Sequence, residues 1–149
     1  MKTIIGTKQD VVKELTALVA DVLARKPEAN IAASAVDLPA EVLDALAASD
    51  IAFDKAKLFQ ACEYCGAAGK GAHAVGAAFS PLMAAKPFAA VHAPDPDADA
   101  EHAADYDAAI QAAGGLDLVI LGLGERGHVA FNEPAPVLVR RRTSPSSRK

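Results

Sequence analysis

The hydrophobic positions of this chain follow two alternating periods. Over residues 8–24, Val11, Val12, Leu15, Leu18, Val19, Val22 and Leu23 recur at the i, i+3/i+4, i+7 spacing of one buried helical stripe. Thr7 followed by Asp10 marks where that helix starts. Lys26-Pro27 stops it, residues 30–33 read as a short strand, and Asp37 and Pro39 open a second helix with Val42, Leu43 and Leu46 inward. The unit then recurs: a strand over 57–61, a loop over 62–71, an alanine-rich helix over 73–84 and a strand over 88–92. Asp95, Asp97 and Asp99 oppose the positive end of a helix that runs to Ala113, where Gly114-Gly115 ends it. Residues 116–121 are nearly all apolar, which predicts a central parallel strand covered on both faces. The alternation predicts an α/β fold: a three-layer, Rossmann-like domain with a mostly parallel sheet and right-handed crossovers.

In such a sheet the ligand crevice is lined by the loops that leave the carboxyl ends of the strands. Here those are residues 34–38, 62–71, 93–97 and 122–136. The chain has the 149 residues of one domain, 52% apolar, and 35 of them are alanine, with no Trp, so close helix packing must replace large aromatic anchors. Net charge is −4, but residues 140–149 hold five of the fifteen basic residues and no acid. Without them ten basic residues face nineteen acidic ones, a net −9 that disfavours a nucleic-acid-binding body. We therefore expect an α/β domain over residues 1–139 and a basic, disordered tail over 140–149. Arg140, Arg141 and Arg142 read as solvated tail or as a contact for an acidic partner. No apolar run approaches the ~20 residues of a bilayer helix. Lys8 and Asp10 interrupt the start before a signal-like region develops, and the expected setting is cytoplasmic, with no membrane partner. Cys62 and Cys65 are too few for a disulfide scaffold. As a C-x-x-C they lack the second pair that a zinc site needs, and His73, His92 and His102 do not supply it, so no metal is expected.

The most informative segment follows the apolar strand. Gly122, Gly124 and Gly127 satisfy G-x-G-x-x-G literally, but Pro134 and Pro136 cut short the helix that would receive a pyrophosphate, and no acid stands at ribose-binding spacing. What the loop does offer is an imidazole at His128 and a carboxylate at Glu133, a pair able to relay a proton near neutral pH. On spacing alone the pair also reads as a loop-capping histidine and a solvent-facing glutamate. Gly66 to Gly71 with Lys70 suggests a phosphate cradle without the P-loop ending, better read as a flexible loop at the site. Tyr106 reads as a core-facing aromatic.

Residues 114–134, G-G-L-D-L-V-I-L-G-L-G-E-R-G-H-V-A-F-N-E-P, closely resemble the signature of the glucosamine-6-phosphate deaminases and the related galactosamine-6-phosphate isomerases. The related 6-phosphogluconolactonases share the glycines and Gly-His but lack F-N-E-P, so the resemblance points to the amino-sugar branch. It implies an aldose-ketose isomerisation of an amino-sugar phosphate with loss of ammonia, without metal or redox cofactor. His128, oriented by Glu133, would open the sugar ring, and a carboxylate after an earlier strand would move the proton from C2 to C1. Ser34, Glu63, Gly122, Gly124 and Gly127 would face the substrate.

Against that family the chain departs at several positions. The C2 base position is Cys62, a thiol mostly protonated at neutral pH, where the family has Asp. Arg126 stands where the family carries Asp or Asn before Gly-His, within reach of the relay or of phosphate. The early phosphate loop, residues 33–39, has no glycine, and Asp37 adds a charge that repels phosphate. Family members are longer, so the fold is expected to lack the family's C-terminal third, and the change of composition past Pro136 fits a tail or a shifted reading frame. The functional expectation is an amino-sugar-phosphate deaminase or isomerase. The alternative is an inactive sugar-phosphate-binding or assembly module, with homo-oligomerisation through the exposed sheet edge open to either.

Overall fold

Helix α1, Lys8–Arg25, opens on a reciprocal cap: Thr7 Oγ1 accepts from the Asp10 amide and the Asp10 carboxylate accepts from the Thr7 amide at 2.8 Å. It ends where Lys26 N–H bonds to Val22 and Pro27 forbids continuation. The computed structural model describes residues 3–64, 74–97 and 103–134. Within them follow β1 Asn30–Ala33, α2 Ala40–Ala48, β2 Lys57–Gln60, α3 Ala74–Ala77, α4 Ser80–Ala85, β3 Ala90–His92, α5 Ala103–Ala112 and β4 Leu118–Ile120. All four strands are parallel, in the order β3-β2-β1-β4. Register pairs Ile31 with Leu58 and Leu118, and Ala33 with Gln60 and Ile120.

Period-two alternation sorts the strand residues onto two faces. Ile31, Ala33, Leu58 and Ile120 join Val19 and Leu23 of α1, Val42, Leu43 and Leu46 of α2, and Leu82 of α4 in one buried cluster. On the opposite face Phe59, 0% exposed, stacks on His92 at 4.5 Å and meets Tyr106 of α5 edge-on at 6.4 Å. Tyr106 is thus more than core filling: its hydroxyl donates to the Gln60 carbonyl at 2.8 Å and the His92 carbonyl at 3.2 Å, tying the ends of β2 and β3. Helices on both faces make the three-layer α/β architecture that the alternation predicts.

The end of α5 follows its two glycines. Gly114 (φ 94°) and Gly115 (φ 86°) are left-handed, and their amides bond to Gln111 and Ile110 in a Schellman arrangement. Buried Asn30 then clamps this turn, donating to the carbonyls of Ala113 and Gly115 and receiving the Asp117 carboxylate on its amide.

Two expectations are corrected. The helix over 73–84 is broken in two, because Pro81 cannot donate into the preceding turn and sits instead in the first turn of α4. The apolar strand over 116–121 is shorter, Leu118–Ile120, and is an edge of the described sheet rather than its centre, with Val119 48% exposed. The buried centre is β1, NIAA, whose short apolar run carries the same pattern. Cys65, residues 66–71 with Lys70, His73, Asp99, His102, Pro136 and the tail at 140–149 lie outside the described residues. Among the described residues no helix is long and apolar enough to cross a membrane.

Candidate active site

The order β3-β2-β1-β4 reverses direction at β1, so the topological switch point, where the ligand crevice of such a sheet forms, falls between the carboxyl ends of β1 and β4. The loops that meet there are residues 34–38 and 122–134. Their close approach is built into the glycines. A Cβ on Gly122 would lie 2.2 Å from the Asp37 carbonyl carbon and 2.4 Å from the Val36 oxygen. A Cβ on Gly124 would lie 2.0 Å from Cε1 of His128, whose ring rests on that α-carbon. Gly127 takes φ 81° to close the turn in which its amide bonds to Gly124 O at 2.8 Å. Each glycine of the G-x-G-x-x-G pattern is thereby explained by the loop's own packing.

Beyond His128 the chain folds into a tight two-residue turn. Val129 and Asn132 exchange both backbone bonds, at 3.0 and 2.9 Å, and Ala130 takes φ 52°, the left-handed conformation such a turn demands. The turn presents Phe131 to Tyr64, ring centroids 4.9 Å apart, so the loops after β4 and β2 touch above the end of β1.

His128, 20% exposed at its side chain, pairs through Nε2 with Asp37 Oδ2 at 2.6 Å. Its Nδ1 is buried without a partner. The expected pairing of His128 with Glu133 is therefore not formed. Glu133 is exposed and bonds to Arg126 Nη2 at 3.3 Å, because the turn after His128 carries it to the outer side of the loop where Arg126 attracts it. Asp37, expected to add a charge that repels phosphate, also meets the imidazole: its backbone, at φ 55°, places the carboxylate against His128.

At the end of β2, Cys62 Sγ lies 3.1 Å from Oγ of fully buried Ser34, which also accepts from the Val36 amide. Burial pushes the Cys62 thiol above its ordinary pKa; the Ser34 contact offsets part of this and the Glu63 charge adds to it. The thiol is accordingly mostly protonated at neutral pH and a poor general base there. Glu63, in the loop after β2, is buried. Its carboxylate accepts from Gln60 Nε2 and from the amides of Tyr64, Val75 and Gly76, at 2.8 to 3.1 Å. Burial alone would raise its pKa, but these four bonds together hold it below the usual carboxylate value. Thus Asp37, His128, Cys62 and Ser34 lie at adjoining strand ends, while Glu63 is bonded to Gln60 and to three backbone amides and Glu133 to Arg126. Among the described residues no group of three or more His, Cys, Asp or Glu side chains is placed to hold a metal ion.

The model of the family described as glucosamine-6-phosphate isomerases/6-phosphogluconolactonase matches residues 6–133, which spans both loops of the crevice. The chain belongs to the glucosamine-6-phosphate isomerase/6-phosphogluconolactonase family. Among relatives, the glucosamine-6-phosphate deaminase of Mycolicibacterium smegmatis is 38% identical over 129 residues, covering 80% of this chain and 49% of that protein. The glucosamine-6-phosphate deaminase of Beutenbergia cavernae is 37% identical over 141 residues, covering 86% of this chain and 54% of that one. A solved structure described as a monomeric glucosamine-6-phosphate deaminase superposes with a TM-score of 0.67 at 22% identity, over 90% of this chain and 60% of its own, and shows the shared fold. This family member spans about half the length of the curated relatives it matches.

Proposed function

We propose that this family member acts on an amino-sugar phosphate, with glucosamine 6-phosphate as first substrate, converting it with one water to fructose 6-phosphate and ammonia. The observation that carries the reading is the G-H-V-A-F-N-E-P loop, with His128 on it, seated at the β1/β4 switch point. His128 moves a proton between the ring oxygen and the C1 hydroxyl, which opens the ring. A base at the end of β2 takes the C2 proton and returns it to C1 through an enol-like intermediate. Water then adds at C2 of the resulting imine, and ammonia leaves. In this chain the base position is Cys62, held protonated by burial, so proton transfer at C2 limits the rate.

The test restores the carboxylate. Cys62→Asp is expected to raise kcat by about 10–100-fold, the range that a positioned general base supplies. Fructose 6-phosphate release from glucosamine 6-phosphate measures it, with tagatose 6-phosphate release from galactosamine 6-phosphate as the second arm. A variant no faster than the parent on either sugar contradicts this assignment of the rate limit.

A further inference from the structure

We propose that Asp37 is an intramolecular latch: its carboxylate occupies the one accessible nitrogen of His128, and a sugar hydroxyl must displace it before the imidazole can act. The inference rests on the sugar-phosphate reading for the identity of the displacing ligand, but the latch itself stands on geometry. Nε2 is taken at 2.6 Å by Asp37 Oδ2. Nδ1 is buried and unpartnered, and the Gly124 α-carbon lies against the ring. A catalytic imidazole held by a carboxylate on one nitrogen normally offers the other to substrate. Here that other nitrogen is sealed, so Asp37 blocks the ring instead of aiming it.

In the pair Nε2 faces the Asp37 carboxylate, and the remaining ring nitrogen is the buried one. The carboxylate that the family resemblance pairs with His128, Glu133, is turned out to Arg126. Release is local: Asp37 sits in a short turn whose closing bond, Leu38 N–H to Ala35 O, is 3.4 Å long, and its own φ of 55° is one that an aspartate tolerates and a glycine prefers.

The experiment labels His128 in the intact chain with diethyl pyrocarbonate and reads the modified peptide by mass spectrometry. A free ring-nitrogen lone pair attacks the reagent's carbonyl, an N–C bond forms, and ethanol and carbon dioxide leave. Asp37→Gly, which keeps the left-handed backbone, is expected to label His128 about tenfold faster than the parent, with Asp37→Asn between them. Half-protection by glucosamine 6-phosphate is expected at about tenfold lower concentration in Asp37→Gly. Equal or slower labelling in both variants overturns the latch, even if the sugar protects. Faster labelling without protection by the sugar upholds the latch and overturns the substrate reading instead.

Discussion

Gly122→Ala is expected to unfold at a midpoint roughly 5–10 °C below the parent, from a loss of about 2–3 kcal/mol. The added methyl would lie 2.2 Å from the Asp37 carbonyl carbon and 2.5 Å from its oxygen, and both are backbone atoms with no rotamer to yield. The loop over 34–38 cannot retreat as a whole either. Its first residue, Ser34, is fully buried, bonded through its amide to Ile120 O at 3.0 Å and through Oγ to the Val36 amide. The strain must therefore pull β4 from β1 or push Asp37 off His128, and thermal unfolding followed by circular dichroism reads the cost. An unchanged midpoint would mean that the two loops are not packed as described.

The second large effect is expected at Glu63. Glu63→Gln keeps the shape but replaces one acceptor oxygen by an NH2 facing donors, and each oxygen now serves two: Oε1 takes Tyr64 and Val75, Oε2 takes Gln60 and Gly76. Leaving two buried donors without an acceptor costs about 2–4 kcal/mol. The pH dependence has a definite sign. A carboxyl held below its ordinary value in the folded state stabilises the protein above its unfolded pKa, and that contribution is lost as pH falls through the lower folded value. Urea midpoints of parent and Glu63→Gln should therefore stand far apart at pH 7 and converge on the acid side of the ordinary glutamate value. A gap of the same size at acid and neutral pH would contradict the role given to the charge.

What the sequence made legible, and what it hid, divides along range. The cap at Thr7 and Asp10, the glycine stop after α5 and the signature loop are local chemistry, decided by residues a few positions apart, and each reads directly from the chain. The partner of His128 is 91 residues away, and nothing near Asp37 marks it except that it leaves β1. The sequence marks Asp37 only as a charge that repels phosphate and does not reveal the imidazole beside it. The resemblance names Glu133 as the partner, while its spacing alone also reads as a solvent-facing glutamate, and the tight turn at Ala130 leaves it exposed beside Arg126. Apolarity likewise made 116–121 look central, since a hydrophobic strand advertises that it wants covering but not which neighbours cover it. The edge position of β4 belongs to a chain that spans about half of its curated relatives.

In the proposed reaction the imidazole between the β1 and β4 loops opens the sugar. The direct measurement is ammonia release from glucosamine 6-phosphate by the purified chain, with His128→Gln in parallel. Ammonia and fructose 6-phosphate are expected in equal amounts, with a rate at least about 100-fold lower in the variant. Ammonia at no more than the uncatalysed rate, or equal rates from the two proteins, would contradict this role for His128.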